Sequence, residues 1–470
     1  MNDGRCLPIS LVLVLLLTGC VVGPDYEKQE PENLGPWSES ATVAVSEEVG
    51  HLASWWTMLE DTVLDALIEH AIADNPDRDL ALARVRESRA RYRGTRAERW
   101  PVASGTAGSN RTESTDPLGS KAWRSGYDLG IDASWEADIF GGTRRSAEAA
   151  RATLESRDAE YIDVMTSLVA EVALTYLDYR SLEERLRVNR MSLAAQQRSF
   201  DLARWRHKAG LVTALDLEQS RANLESTRAG IPQLERDLGI ARNKLTALTG
   251  QSRNQLDALL APAGGIPRQT RNIAIVVPGE ALRQRGDVRA AERNLARQMA
   301  RVGVAEAARY PVLSLSGALA TSAPETSNLF DSASTVTSLG FGLAAPIFNA
   351  GRLRANVDVE DALYDQALAS YEKTVRNAVR ETEDALASHE AAVRRVVPLE
   401  RAVAAAVRAS ELARLEYEAG LTGFDRVLDS EQTQLSLEEQ RLLNQSAETQ
   451  ALIRLYKAVG GGWDAALTEH

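Results

Sequence analysis

Tyr127-Asp128-Leu129-Gly130-Ile131-Asp132-Ala133-Ser134-Trp135-Glu136-Ala137-Asp138-Ile139 alternates with a strict period of two. Tyrosine, leucine, isoleucine, alanine and tryptophan take one set of positions; aspartate, glycine, serine and glutamate take the other. Successive side chains of a strand point to opposite faces, so this stretch predicts a β-strand with one apolar and one acidic or small face. Leu313, Leu315 and Leu319 alternate with Ser314, Ser316 and Ala318 in the same way, and Leu339, Phe341 and Leu343 alternate with Gly340, Gly342 and Ala344. Residues 102–109 read as a weaker fourth strand. These lengths approach the roughly ten residues a tilted strand needs to cross a bilayer. Polar loops are expected between them at 112–125, with Pro117, and at 321–336, with Pro324. Taken locally, a soluble hairpin with one wet face fits the alternation at least as well.

Outward from the strands, the chain repeats itself. Asp77, Ala97, Arg99, Pro101 and Val102 recur as Asp287, Ala307, Arg309, Pro311 and Val312, without a gap, at an offset of 210. Ile139-Phe140 ahead of Gly-Gly-Thr-Arg-Arg resembles Ile347-Phe348 ahead of Asn-Ala-Gly-Arg-Leu-Arg. Leu202-Ala203-Arg204 and Ala209-Gly210-Leu211 recur as Leu412-Ala413-Arg414 and Ala419-Gly420-Leu421, again 210 apart. Three matches in one order imply a tandem duplication, longer than any solenoid repeat.

Each half has the same order of parts. A helical stretch (77–100, 287–310) stops at a proline, and the strands follow. Then comes a long segment rich in alanine, arginine, glutamate and leucine (143–207, 352–418), a Gly-Leu break, and a last helix (213–249, 424–459). Pro398 interrupts the second long segment and is expected to kink it. The long helices would measure about 97 and 100 Å, and the two shorter helices of each half together about 92 and 88 Å. Two antiparallel coiled-coil pairs per chain are therefore expected, each far longer than a globular domain.

The 470 residues carry a formal charge of −12 and a pI near 5.2, so no nucleic-acid partner is expected, since neutralising phosphates takes excess lysine and arginine. With 5% aromatic residues an aromatic-rich core is not expected. His51, His70, His207, His389 and His470 are scattered without zinc-type spacing. None of the six lysines follows a glycine, which excludes a phosphate-binding Gly-Lys-Ser/Thr loop. Residues 1–19 read as a secretory leader: one basic residue, an apolar run at 7–17 too short to span a bilayer, then Leu17-Thr18-Gly19-Cys20. Small residues before a cysteine form a lipoprotein box, whose thiol is lipidated and whose chain is cut just before it; an ordinary leader with a chance cysteine is the plainer alternative. Cleavage would also remove Cys6, leaving lipidated Cys20 alone and no internal disulfide. Val21 follows the cut rather than aspartate, which points to the outer membrane of a bacterium, anchored by lipid from the periplasmic side.

Four strands cannot close a barrel. An unpaired strand edge in lipid costs several kcal/mol per backbone group, so several chains must share one. Three copies give twelve strands, and the repeat makes the ring pseudo-six-fold. The expected fold is thus mainly helical with a β part: a coiled-coil tunnel plus four membrane strands per chain, closing as a trimeric twelve-stranded barrel. The expected organisation is a leader (1–19), a lipidated extended segment (20–55), a first repeat (56–265, hairpin 102–140) and a second repeat (266–470, hairpin 312–348).

Further motifs carry a resemblance. They are Gly23-Pro24-Asp25-Tyr26 after the lipid box, Trp55-Trp56, the duplicated Arg-aromatic-Pro, and Pro346-Ile347-Phe348 with Gly351-Arg352. Asp429-Ser430-Glu431-Gln432 and Tyr456-Lys457-Ala458-Val459-Gly460-Gly461-Gly462-Trp463 complete the set. In this order they make the chain similar to the outer membrane factor (TolC/OprM-type) efflux channels, especially the lipidated branch. Gly286 departs from the family's Arg-Pro-Asp and is expected to loosen that helix start; the resulting Arg-Gly-Asp is read as structural, not adhesive.

The resemblance implies a homotrimeric conduit that performs no chemistry and needs no cofactor beyond the lipid on Cys20. It implies docking to a periplasmic adaptor and an inner-membrane pump of the RND type. Gly210, Leu211, Gly420 and Leu421 become hairpin tips that meet the adaptor. Asp425 and Asp429, four residues apart on one helix face, would form acidic rings at the tunnel mouth, with Asp216 as a rough first-half counterpart. Asp429 matches an aperture-lining position of the family. Acidic residues in a first turn also stabilise the helix dipole, and that reading stands beside the gate. Arginine and glutamate runs along the long helices are expected to be solvated faces and intrahelical pairs. A structural coiled-coil envelope lipoprotein without channel activity is the alternative, and would need no strands. A periplasmic enzyme or binding lipoprotein is a third reading, and would need a compact monomer with a ligand pocket.

Overall fold

The computed structural model describes residues 21–28, 44–45, 53–115, 121–262, 264–268, 274–275 and 282–463. The leader, Cys20, and the ends of the expected N-terminal and C-terminal segments lie outside them. Eight helices carry the description: α1 (Thr62–Asp74), α2 (Pro76–Ala97), α3 (Gly142–Lys208), α4 (Ala214–Thr249), α5 (Arg253–Leu260), α6 (Gly286–Ala307), α7 (Arg352–Glu418) and α8 (Phe424–Ala458). Four long strands, β1 (Val102–Thr115), β2 (Lys121–Ala137), β3 (Val312–Ala323) and β4 (Thr335–Ala344), form one sheet. A short parallel pair joins Ala44–Val45 to Ala274–Ile275. α3 and α7 each have 67 residues, or about 100 Å of helix. Element starts keep the offset of 210: Pro76 and Gly286, Val102 and Val312, Gly142 and Arg352, Ala214 and Phe424.

The chain divides into two compact units. One comprises residues 1–30, 83–158 and 290–373 and holds the sheet. Its strands run in the order β1-β2-β3-β4, every neighbour antiparallel. Ladder partners include Ser104 with Asp132, Leu129 with Thr321, and Leu315 with Phe341. In each ladder odd numbers pair with odd, so odd-numbered side chains of all four strands share one face. The strands exceed the expected lengths: β1 reaches Thr115 and β2 begins at Lys121, so the loop expected at 112–125 is mostly ladder. β3 and β4 likewise shorten the loop expected at 321–336 to residues 324–334, which include two short 3-10 turns. Backbone pairing holds a ladder together whatever its side chains, so polar composition alone did not mark a loop.

The start of the described chain is tied into this unit. Buried Arg145 on α3 donates to the carbonyls of Val22 and Gly23, at 3.3 and 3.1 Å, and to Asp25 at 2.7 Å. Tyr26 donates to Glu292 at 2.6 Å. Gly23 lies so close to Gly303 that a Cβ on it would stand 2.6 Å from the Gly303 Cα.

The second unit comprises residues 31–82, 159–289 and 374–470 and is helical apart from the short strand pair. Its core is Leu64, Leu67 and Ile68 of α1 against Val169, Val172, Tyr176 and Leu177 of α3, Leu245 of α4, Leu256 of α5 and Leu455 of α8. Within this core Trp55 stacks on Tyr456, with ring centroids 5.5 Å apart and 9° between planes. Asp61 caps α1 through the amides of Val63 and Leu64 and accepts the Tyr176 hydroxyl at 2.9 Å. Arg180, 1% exposed, donates in turn to Tyr176, to Glu183 and to the Pro262 carbonyl.

Two expectations about single residues change. α7 runs on through Pro398, and α4 carries Pro232. Each proline costs its helix about 3 kcal/mol, which the many other turns of so long a helix outweigh. Gly286 does not merely loosen a helix start. A Cβ there would stand 2.6 Å from the Ala159 carbonyl oxygen and 2.6 Å from the Asp163 amide, so as this chain packs the start of α6 leaves no room for a side chain against α3. Its neighbours Arg285 and Asp287 are paired at 2.7 Å, and Arg285 also holds Glu381 and the Ala458 carbonyl, which gives the Arg-Gly-Asp a packing role.

Candidate functional site

Two regions carry the features expected of a conduit, the faces of the sheet and the helix tips. The odd face is apolar over its middle: Leu129, Ile131, Leu315, Leu319, Leu339, Phe341 and Leu343 all lie on it, 39–90% exposed. Its only charged residues on the described strands, Arg111, Glu113 and Lys121, gather at one end, where Lys121 meets Glu113 at 3.4 Å and Arg111 lies over the Trp123 ring. At the other end stand the rings of Trp100, Phe140, Tyr310 and Phe348. From Trp100 to Arg111 is about 36 Å of strand, or about 25 Å of height at a 45° tilt, the height of an outer-membrane apolar band. The even face is small and polar, with Ser, Thr, Gly and Ala around Asp128, Asp132 and Glu136; Ser104 donates to Asp132 at 2.9 Å. Both edge strands, β1 and β4, are exposed along their whole length.

The tips are two matching helix ends. Gly210 has φ 71° and Gly420 φ 76°, a region open chiefly to glycine. The Leu211 amide bonds the Arg206 carbonyl and the Gly210 amide that of His207; Leu421 bonds Glu416 and Gly420 bonds Tyr417 in the same way. This is a Schellman termination, built twice. The motif usually tucks its last apolar residue back onto the helix. Here Leu211 and Leu421 are 73% and 78% exposed.

α4 and α8 begin three residues past these leucines, and differently. Thr213 and Asp216 form a full capping box, with Asp216 accepting from the Thr213 amide at 2.9 Å and hydroxyl at 2.8 Å. Gly423 caps α8 with no side chain, and an Asp425 carboxylate oxygen fills the space a Cβ on residue 423 would need. Asp425 and Asp429 are both exposed. The residue standing 210 after Asp216 is Arg426, and the one 210 before Asp425 is Leu215. Asp216 thus caps α4 and stands one position off the 210-residue spacing from Asp425.

Sequence reasoning missed what joins the tips. Arg206 donates to the Tyr417 and Glu418 carbonyls, at 2.6 and 2.7 Å, and lies 4.3 Å from the Tyr417 ring centroid. One α3 arginine thereby satisfies terminal carbonyls of α7. Ala203, Tyr417, Phe424 and Val427 pack into a small core of their own. Ser199 donates to Glu431 at 2.7 Å, while the other Glu431 carboxylate oxygen is buried without a partner. Burial pushes the Glu431 carboxyl above its usual range, partly offset by the Ser199 hydroxyl and by Arg414 and Arg198. Nothing in the sequence separates Arg206, Arg145, Arg180 or Arg285 from the exposed arginines that do form intrahelical pairs, such as Arg151 with Glu155 and Arg380 with Asp384. Arg145 and Arg180 keep intrahelical partners, Glu148 and Glu183, yet are buried, so the solvated reading does not extend to them. Among the described residues no group of three or more His, Cys, Asp or Glu is placed to hold a metal.

The family model described as "Outer membrane efflux protein" matches residues 67–251 and again 277–461. The chain belongs to that family. Its two matches start 210 residues apart, the spacing read from the motifs. Outer membrane protein OprJ of Pseudomonas aeruginosa is 32% identical over 460 residues, covering 97% of this chain and 95% of that protein. The cation efflux system protein CusC of Escherichia coli is 30% identical over 468 residues, covering 97% and 99%. Among solved structures, the outer-membrane channel OprN superposes with a TM-score of 0.88 at 32% identity, covering 94% of this chain and all of that one. CusC superposes with a TM-score of 0.82 at 29% identity. This outer membrane efflux protein is therefore an efflux channel of the bacterial outer membrane, with a helical periplasmic part.

Proposed function

We propose that three copies of the chain close their sheets into one twelve-stranded barrel and passively conduct substrates outward. The observation that carries this reading is the pair of unpaired edges, β1 and β4, on a sheet with one apolar and one polar face. In lipid such edges must be paired, and a second and third copy supply the partners. The odd face meets lipid and the even face lines the water. The chain is a twofold sequence repeat, so the ring is pseudo-six-fold. Cys20 carries the lipid that fastens the chain to the membrane, and no other cofactor is needed. No step of chemistry falls to this protein; the energy comes from an inner-membrane pump of the RND type, reached through a periplasmic adaptor.

The adaptor meets Leu211 and Leu421, whose side chains are displayed beyond glycines that end their helices. Asp429, with Asp425 one turn before it, forms threefold acidic rings at the periplasmic mouth, where such rings attract cations and restrict passage. Asp216, held in the capping box of α4, is the rough first-half counterpart of this pair. The reading as a spacer lipoprotein without a channel requires a chain lacking strands, and four long strands speak against it.

The test is a trimer in mild detergent by native mass spectrometry, together with single-channel current in a planar bilayer. Asp429→Ala is expected to raise the current through the resting channel. A monomer without conductance overturns the conduit, and an unchanged current overturns Asp429 as a gate.

A further inference from the structure

We infer that the copies of the ring are joined by an aromatic seam in which Phe348 of one copy stacks on Trp100 of the next. The inference rests on the trimeric reading and adds the contact that holds the joint. Its template lies inside the chain. Phe140, just past the end of β2, stacks on Tyr310, just before β3, with centroids 4.7 Å apart and 22° between planes. The pair lies where the β2–β3 ladder ends, at Ala137 and Leu313.

Each member has a double in the other half. Trp100 stands between Arg99 and Pro101 as Tyr310 stands between Arg309 and Pro311. Phe348 follows Ile347 as Phe140 follows Ile139. The doubles cannot meet within one chain, because Trp100 leads into edge strand β1 and Phe348 leaves edge strand β4. They are correspondingly bare. Trp100 is 72% exposed, Phe348 89% and Ile347 97%, against 39% for Tyr310 and half-burial for Ile139 and Phe140.

Pairing β4 of one copy with β1 of the next rebuilds the β2–β3 joint from its doubles. A strand ending in Ile-Phe then lies antiparallel to one beginning after Arg-aromatic-Pro. Phe348 arrives beside Trp100 as Phe140 lies beside Tyr310, and the ring alternates three internal and three external stacks. The competing occupant is lipid: aromatic rings also gather at membrane interfaces without touching one another.

The full-length protein is expressed with Trp100→Cys and Phe348→Cys and treated in the membrane with a short bis-maleimide. Only Cys6 and Cys20 occur in the natural sequence, so new adducts are readable against an unmodified control. Covalent dimers and trimers on a denaturing gel are expected, while Phe140→Cys with Tyr310→Cys joins only within a chain. A native trimer that yields no cross-linked chains overturns the seam and leaves the ring standing. A wild-type protein that forms no trimer overturns the ring and the seam with it. As a second measurement, Trp100→Leu and Phe348→Leu are each expected to speed thermal dissociation of the trimer, roughly two- to tenfold per seam. The double variant should be no faster than the faster single one, and losses that multiply overturn the contact even where the cysteine pair fails to assemble.

Discussion

Gly210 and Gly420 occupy a left-handed conformation with nothing within 4 Å of the position a Cβ would take. Replacing either by alanine therefore meets no clash, only the backbone cost of about 1–2 kcal/mol. Faster amide exchange over residues 206–216 or 416–426 should report it, with Gly→Asn losing less than Gly→Ala. Glu431 offers a second test through pH. Its carboxyl is raised by burial, so the folded state holds the proton more tightly than the unfolded chain. Its contribution to stability is whole below the ordinary carboxylate pKa and is lost as pH rises through the raised folded value. Glu431→Gln should melt higher than wild type near neutral pH and no higher at about pH 4. A variant melting below wild type near neutral pH would mean that the charged form is the one the tip needs. The sequence showed the glycines, because a left-handed helix end selects them. It did not show Glu431 or Arg206, because their roles come from residues more than two hundred positions away.

At the scale of the element, alternation was the most legible signal, and it failed where it was weakest. β1 is mostly Ser, Thr, Ala and Gly, with no large apolar residue after Val102. Its faces are set by pairing with β2, which sequence periodicity does not report. The long helices were legible because two 67-residue stretches with one internal proline between them have little alternative to helix. The parity of the sheet gives a sharp expectation. Leu319 lies on the odd face and Ala320 on the even face of β3. With the odd face in lipid, as proposed, Leu319→Arg would place a cation there at a cost of about 2–4 kcal/mol near the midplane. Ala320→Arg points into water and costs little. The yield of heat-resistant trimer in isolated outer membranes should fall for the first and hold for the second. Equal losses would remove the assignment of the faces.

For the whole molecule, the question is which charges a passing solute meets. Along the described strands the even face carries Asp128, Asp132 and Glu136 against a single Arg124, so the proposed trimer would present nine carboxylates to three guanidiniums. The acids are spaced by four residues along β2, about 14 Å of strand each, so a solute leaves one ring's field as it enters the next. At 0.1 M salt the screening length is about 10 Å, enough to reach inward from the wall; at 1 M it is about 3 Å. The barrel should therefore select cations at low salt and lose that preference at high salt. Replacing Asp128, Asp132 and Glu136 by Asn, Asn and Gln should move the reversal potential in a potassium chloride gradient toward zero. In the proposed gate, Asp425→Asn with Asp429→Asn should change the resting conductance as well as the selectivity. If the barrel variant keeps the wild-type reversal potential while the tip variant loses it, selection belongs to the tips alone, and the acidic face of β2 serves only to keep the lumen wet.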